Sequence, residues 1–371
     1  MLNPPQPSRA DESAPIRLGA LAPLTPPGWA DAGRHLLAGL DLGVREANAA
    51  GGIHGRPLEL VVRDTAADPQ RATAAMEEFD ALGAVAVVGE YHSVVARAAA
   101  SRADALGLPF LCSSAVLDAL TDRPTDWVAR IAPAQSHGWR VYAGHVLDAG
   151  HRRIAVATQP SVYWASGTRI LRDHLASRGG TVVELDTTAR TPAALCDALA
   201  DLGVTALLLL VGHPEPATTL VRAVRSDPRL TDVLIGAPAG QPELPSWSAM
   251  LAGSGAAVPF LRYLPADPGP LGSRVSDDLR GLLGEPPSFV ALEGWDSIAV
   301  LSAMLRHHGT RRADLAASWS RTSVDGSRGP IRFSRAAGTT TWQWAWPPVH
   351  VADRDPAAPD RFRTLSAGGH P

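Results

Sequence analysis

The sequence contains no lysine; all 34 of its basic arginine-or-lysine positions are arginine. That removes two chemistries at once, the phosphate-gripping lysine of a P-loop and the Schiff-base lysine. Cysteine is nearly absent, with only Cys112 and Cys196. Two cysteines on segments that need not meet define neither a disulfide framework nor a zinc spacing. No apolar run approaches the length that spans a bilayer, so no membrane insertion is expected. Neither sign of charge dominates: the formal net charge is -3 and no basic run occurs, which argues against nucleic acid as a partner. Recurrent catalytic signatures are missing as well. There is no H-E-x-x-H among the 12 histidines, no G-x-S-x-G around a serine, and no G-x-G-x-x-G opening a helix after a strand.

What is present is a chain of 371 residues, 45% hydrophobic, enough for two domain-sized units. Met1 to Pro15 is proline-rich and polar. It reads as a disordered tail without the basic-then-apolar profile of a secretory signal. The sequence as written therefore reads as cytoplasmic, or as extracytoplasmic if an export signal lies outside it.

From Ile16 onward, short apolar runs alternate with amphipathic stretches. Strands are expected at Ile16–Leu21, Leu58–Arg63, Gly83–Val88, Phe110–Cys112, Trp127–Ile131, Ile154–Ala157, Val182–Leu185, Ala206–Val211 and Val233–Ile235. A helix is expected from Asp31 to about Ala50, with Leu36, Leu37, Leu40 and Val44 on one face. Another opens at Asp68-Pro69, where the missing proline amide does no harm. Strands this apolar are buried on both faces, so the pattern predicts an α/β fold with parallel sheets. Their number exceeds one comfortable sheet, and two similar Rossmann-like lobes fit better.

In such sheets ligands sit beyond the carboxyl ends of the strands. The most suggestive of these ends is V-G-E-Y-H-S, Val88 to Ser93, where a strand turns at a glycine into an alanine-rich helix. Amides at that turn lack partners, and Ser93 stands where a hydroxyl caps the helix or faces a ligand. The other candidates are Thr25 and Trp29 after the first strand, Tyr91 after the third, and Ser113 and Ser114 after the fourth. In the second half they are Tyr163, with Trp164, and His213 and Glu215. Hydroxyls, amides and rings suit the binding of a small polar molecule. His213 and Glu215, two apart, read as a helix start rather than an acid–base pair, and His307-His308 as a solvated helix end. Trp342-Gln343-Trp344-Ala345-Trp346 alternates with strand period and reads as packing. No catalytic residue, metal or cofactor is expected, and an enzyme of unrecognised type stands as the alternative to a binding protein.

Several segments carry a family resemblance. They are A-P-L-T at Ala22–Thr25, A-N-A-A-G-G-I-H-G-R-P-L-E-L at Ala47–Leu60, D-T-A-A-D-P at Asp64–Pro69 and V-V-G at Val87–Gly89, with H-P-E at His213–Glu215 and G-P-I at Gly329–Ile331. The chain resembles the type I periplasmic solute-binding proteins, the Leu/Ile/Val-binding and short-chain amide or urea-binding group. The resemblance implies a clamshell of two α/β lobes joined by three crossings: residues 16–134 with 263–323, and residues 135–262 with 324–371. G-E-Y-H-S at Gly89–Ser93, R-A-D-A-L at Arg102–Leu106 and G-G-T-V at Gly179–Val182 are similar to the amide sensor of that group. By the same resemblance Tyr91, Ser93, Ser114 and Tyr163 belong to the pocket. The implied role is non-enzymatic capture of a small polar ligand, an amide, urea or an amino-acid-like molecule. The implied partner is an ABC permease, or a regulatory protein if the chain is cytoplasmic. A sugar-responsive repressor is excluded by the missing helix-turn-helix head.

Two departures bear on the ligand. Gly236-Ala237-Pro238-Ala239-Gly240 lacks the acid that pairs with an amino acid's ammonium in relatives. An unpaired buried ammonium is costly, so a free amino acid is disfavoured unless Glu215 or Glu90 substitutes. Gly212 stands where relatives often carry a tyrosine, which implies a wider pocket floor.

Overall fold

The structure, a computed structural model, describes residues 14–336 and 339–367. The tail expected over Met1–Pro15 lies almost wholly outside the described residues.

The first run of elements is β1 (Ile16–Ala22), α1 (Ala30–Ala49), β2 (Leu58–Asp64), α2 (Pro69–Ala81), β3 (Ala86–Gly89), α3 (Ser93–Leu106), β4 (Phe110–Cys112) and β5 (Val128–Arg130). The second is α4 (Gln135–Asp148), β6 (Arg153–Thr158), α5 (Val162–Ala176), β7 (Thr181–Asp186), α6 (Pro192–Leu202), β8 (Ala206–Leu210), α7 (Ala217–Ser226), β9 (Leu234–Gly236), α8 (Pro245–Leu251) and β10 (Phe260–Arg262). The third is α9 (Gly269–Leu283), α10 (Phe289–His308), α11 (Arg312–Ala316), β11 (Ser323–Gly326), β12 (Gly329–Ser334) and β13 (Trp342–Trp344). A final hairpin pairs β14 (His350–Asp355) with β15 (Ala358–Ala367).

Lobe 1 is built on an eight-stranded sheet in the order β11-β12-β13-β5-β4-β3-β1-β2. Lobe 2 is built on a four-stranded sheet, β7-β6-β8-β9, and a three-stranded sheet, β10-β14-β15. An isolated parallel bridge between Ala237 and Phe260 joins these two sheets. The strands from β1 to β9 pair only in parallel, and β8, A-L-L-L-L, is buried throughout. Helices cover both faces, so a strand of this kind has no solvent side to alternate toward.

The chain passes between the lobes three times, at 131–134, 263–268 and 345–349. The last passage corrects the boundary expected at 324. Strands β11 to β13 stay with lobe 1, because Trp342 and Gln343 pair in parallel with Ala129 and Arg130 of β5. Gln343 also accepts from the Arg130 Nε at 2.7 Å and donates to the Ala132 carbonyl at 2.6 Å. The alternating tryptophans therefore complete the lobe 1 sheet: Trp344 is buried, while Trp346 beyond the strand is exposed.

Local chemistry sets the element ends. Asp68 caps α2 by accepting from the Gln70 amide at 2.7 Å, with Pro69 in the first turn. Helices α1 and α10 pack close enough that a Cβ at Gly39 would fall 1.9 Å from the Ala291 carbonyl oxygen, and only glycine fits. At the end of β3, Gly89 adopts φ +119, and a Cβ there would lie 2.1 Å from the Leu21 carbonyl. That glycine ends the strand and aims the following residues into the space between the lobes.

Candidate functional site

The space between the lobes is a cleft of about 260 Å³. Lobe 1 contributes the loop after β3 and the start of α3, with Tyr91, His92, Ser93, Val94 and Val95, together with Trp29, Ser114 and Phe289. Lobe 2 contributes Gln159, Ser161, Tyr163, Trp164, Gly212 and Ala239. Tyr263, on the second passage between lobes, closes the back. Its ring meets that of Phe289 edge-on at 5.0 Å, and Tyr163 lies 4.6 Å from Trp164. Burial pushes the Tyr91, Tyr163 and Tyr263 phenols far above their ordinary value, so all three are neutral at any physiological pH.

Among the candidates from the sequence, Trp29, Tyr91, Ser93, Ser114 and Tyr163 line this cleft together. The other four lie elsewhere. Thr25 is exposed, with its hydroxyl on Asp64, which also accepts the Leu24 amide at 2.8 Å. Ser113 is buried behind Ser114, the two oxygens 3.2 Å apart. Glu215 is exposed and binds the Thr218 hydroxyl and Thr219 amide, so it opens α7. His213 sits behind Trp29, the rings edge-on at 5.7 Å, and meets Ser246 at 2.7 Å. The cap of α3 is His92, not Ser93, and it makes no side-chain cap bond. Ser93 is the first helical residue, and its oxygen accepts from the amides of Val116 and Leu117 at 3.3 and 3.2 Å. It therefore holds the loop after β4 and still has its hydroxyl proton to offer.

Glu90 does not replace the missing acid. Both of its oxygens are occupied: one accepts the amides of Tyr91 and His92, each at 2.8 Å, and the other the Thr65 hydroxyl at 2.7 Å. Burial raises its pKa to about 7 against the opposing effect of those bonds. Among the described residues, no aspartate, glutamate or arginine is on the cleft wall. Several wall residues escaped the sequence reading, among them Tyr263, His92, Gln159, Ser161 and Phe289. His92, Gln159 and Ser161 are polar residues in loops, and Phe289 begins a helix late in the chain, its ring against Tyr263; only the three-dimensional crossing pattern brings them together. His92 accepts the Trp29 amide at its Nε2, 3.1 Å away, and burial lowers its pKa to about 4. It is thus a neutral imidazole with its proton on Nδ1.

Beneath the cleft, Arg328 ties the passages between the lobes. It is fully buried and pairs with Asp296 at 2.7 Å and Glu293 at 3.2 Å. It also donates to the carbonyls of Tyr263 and Ile131, on the second and first passages, and stacks on Trp344 just before the third. Burial raises Glu293 to about 7, opposed by Arg328 and by Ser114.

A family model described as periplasmic binding protein matches residues 15–346. The chain belongs to the periplasmic binding protein family. A Leu/Ile/Val-binding protein homolog 7 of Brucella melitensis is 33% identical over 146 residues, covering 39% of this chain and 35% of that relative. The matched part is thus about a third of the relative's length. Among solved structures, a leucine-binding protein of Thermotoga maritima superposes with a TM-score of 0.81 at 18% identity, covering 95% of this chain and 98% of that one. A solute-binding protein of R. palustris in complex with benzoate gives 0.80 at 18% identity, covering 96% of both. These likenesses establish the two-lobed periplasmic-binding fold. Among the described residues, no helix is long and apolar enough to cross a membrane, and no group of three His, Cys, Asp or Glu is placed to hold a metal.

Proposed function

We propose that this member of the periplasmic binding protein family captures a small organic carboxylate with a flat apolar body, closes its two lobes on it, and hands it unchanged to an ABC permease. The observation that carries this reading is the make-up of the cleft. Rings from both lobes face one cleft, its polar edge is made of neutral hydroxyl, amide and imidazole groups, and among the described residues no aspartate, glutamate or arginine lines it. In lobe 1 the Ser93 hydroxyl, the His92 Nδ1–H and the first amides of α3, which have no acceptor within the helix, all lie at the start of α3 on the cleft wall. Donors at a helix start suit a carboxylate or carbonyl oxygen.

The same make-up weighs against the other ligands. An α-amino acid would leave its ammonium against rings and neutral donors, which is costly. Urea and the shortest amides have too little apolar surface to use walls built from Trp29, Tyr91, Tyr163 and Phe289. Nothing in the cleft resembles a nucleophile with its base, so binding without chemistry is the reading supported.

Calorimetric titration with benzoate, leucine, acetamide and urea tests it. Benzoate is expected to bind one to one, and Tyr163→Ala to weaken it about fivefold by removing one aromatic wall. Binding of leucine or acetamide in place of benzoate would overturn the ligand class.

A further inference from the structure

Lobe 2 faces the ligand with a polar group of its own, and its chemistry is one-sided. Gln159 follows β6, and its Oε1 accepts the Gly212 amide at 2.9 Å. Because an amide N–H is the donor there, the Gln159 oxygen must be the atom that faces it, and the Nε2 group is left with both of its protons. Ser161 caps α5 by accepting the Tyr163 amide at 3.2 Å, so its hydroxyl proton is free as well. The nearby Tyr163 carbonyl, which could have balanced these donors, is taken by the Gln135 Nε2 at 3.1 Å. Gln159, Ser161 and Gly212 all line the cleft. Backbone amides thus engage the Gln159 and Ser161 oxygens and the Gln135 side chain engages the Tyr163 carbonyl, which leaves the Gln159 and Ser161 donor protons for the ligand.

We infer that lobe 2 holds a second oxygen-acceptor subsite, formed by Gln159 and Ser161, and that the ligand is an aromatic acid carrying a second acceptor oxygen away from its carboxylate. The first acceptor meets Ser93 and His92 in lobe 1, and the second meets Gln159 and Ser161 in lobe 2. One molecule then satisfies donors on both lobes, which couples its recognition to closure. Gly212 has a part in this selection. Its amide fixes which way the Gln159 side chain points, and a Cβ at that position would lie 3.5 Å from Gln159 Oε1 and 3.0 Å from the Glu215 carbonyl oxygen. A ligand with a donor at the second position would leave two sets of donors opposed, with no acceptor between them.

The inference rests on the carboxylate reading of the cleft, and its test separates the two. The full chain is titrated by calorimetry with benzoate, benzene-1,3-dicarboxylate, benzene-1,4-dicarboxylate and 4-(aminomethyl)benzoate. At least one dicarboxylate is expected to bind tenfold or more tightly than benzoate, and the aminomethyl compound more weakly than benzoate. In Gln159→Glu one carboxylate oxygen still accepts the Gly212 amide while the other now faces the ligand as an acceptor. That variant is expected to reverse the order and favour 4-(aminomethyl)benzoate. Binding of benzoate with no gain from a second carboxylate, or an order unchanged in Gln159→Glu, overturns the second subsite and leaves the first intact. Silence of all four compounds with folded protein overturns the carboxylate reading and the second subsite with it.

Discussion

Replacing Arg328 with methionine is expected to lower the stability of the protein by about 3–5 kcal/mol at pH 8. Arg328 is the counter-ion of two carboxylates that are themselves fully buried, Asp296 and Glu293. Removing the cation leaves both without a counter-ion, Asp296 keeping only the Ser327 amide and hydroxyl, and it also frees the Tyr263 and Ile131 carbonyls it holds. Methionine fills much of the volume, so the loss reports charge rather than a cavity. The pH dependence follows from the direction of the shifts. Burial already raises both carboxyl pKa values in the native protein, against the lowering effect of Arg328. An acid whose folded pKa is raised is fully compatible with the fold below its unfolded value. It becomes a liability as pH rises through the folded value, which for Glu293 is about 7. The variant is therefore expected to narrow its deficit at pH 5.5, where the carboxyls take up protons. Urea unfolding at the two pH values reads this directly. A deficit below about 1 kcal/mol at pH 8, or one that does not shrink on acidification, contradicts the role given to Arg328.

The second large effect is on closure. His213 belongs to lobe 2, but Trp29 and Asp31 from lobe 1 pack on it and on its partner Ser246. Asp31 accepts the Ser246 amide at 3.0 Å, a direct bond between lobes. With the His213 proton on Nε2, donated to Ser246, the Nδ1 is buried without a partner. A second proton would land on Nδ1, where nothing accepts it. Burial accordingly lowers the pKa of His213 to about 4, although Asp31 and Glu215 both pull it upward. The other charge in reach is Arg34, paired with Asp31, and the other titratable ring against Trp29 is His92, which burial also holds near 4. Opening the lobes is expected to take Trp29 away, leave His213 against the ring of Trp247 alone, and so raise its pKa from about 4 toward the ordinary 6.5. The closed state thus binds fewer protons than the open one. Closure is fully favoured above pH 6.5 and weakens as pH falls toward 4. Ligand affinity is expected to drop about tenfold between pH 7.5 and pH 5, and His213→Gln, which cannot titrate, to lose most of that dependence. Equal pH profiles for the wild type and the glutamine variant would contradict it.

Much of the fold was legible because parallel strands buried on both faces write themselves as unbroken apolar runs. Nine strands from β1 to β9 lie where those runs lie, Phe110–Cys112 to the residue. The strands that escaped are of another kind. In β14, H-V-A-D-R-D, four of the six residues can carry charge, and β10 is three residues long. Their burial depends on partners distant in the chain: Phe260 of β10 pairs with Ala352 of β14. The boundary at 324 failed for a similar reason. Only the pairing of Trp342 and Gln343 with β5 shows that the chain has not yet crossed. In the site, rings and hydroxyls at strand ends were readable because topology puts strand ends at ligands. The atoms a ligand meets were not. Ser93 was readable as a hydroxyl, but not as one whose oxygen is spent on Val116 and Leu117. Gln159 carried no signal at all, since its meaning comes from the Gly212 amide opposite.

The central claim, one ligand held by both lobes at once, is tested most directly by amide hydrogen exchange with and without saturating benzoate or benzene-1,4-dicarboxylate. The account predicts added protection at Val94 and Val95 in lobe 1 together with residues 159–163 and Gly212 in lobe 2, at one ligand per chain. Protection confined to one lobe, or appearing only away from the cleft, would contradict it.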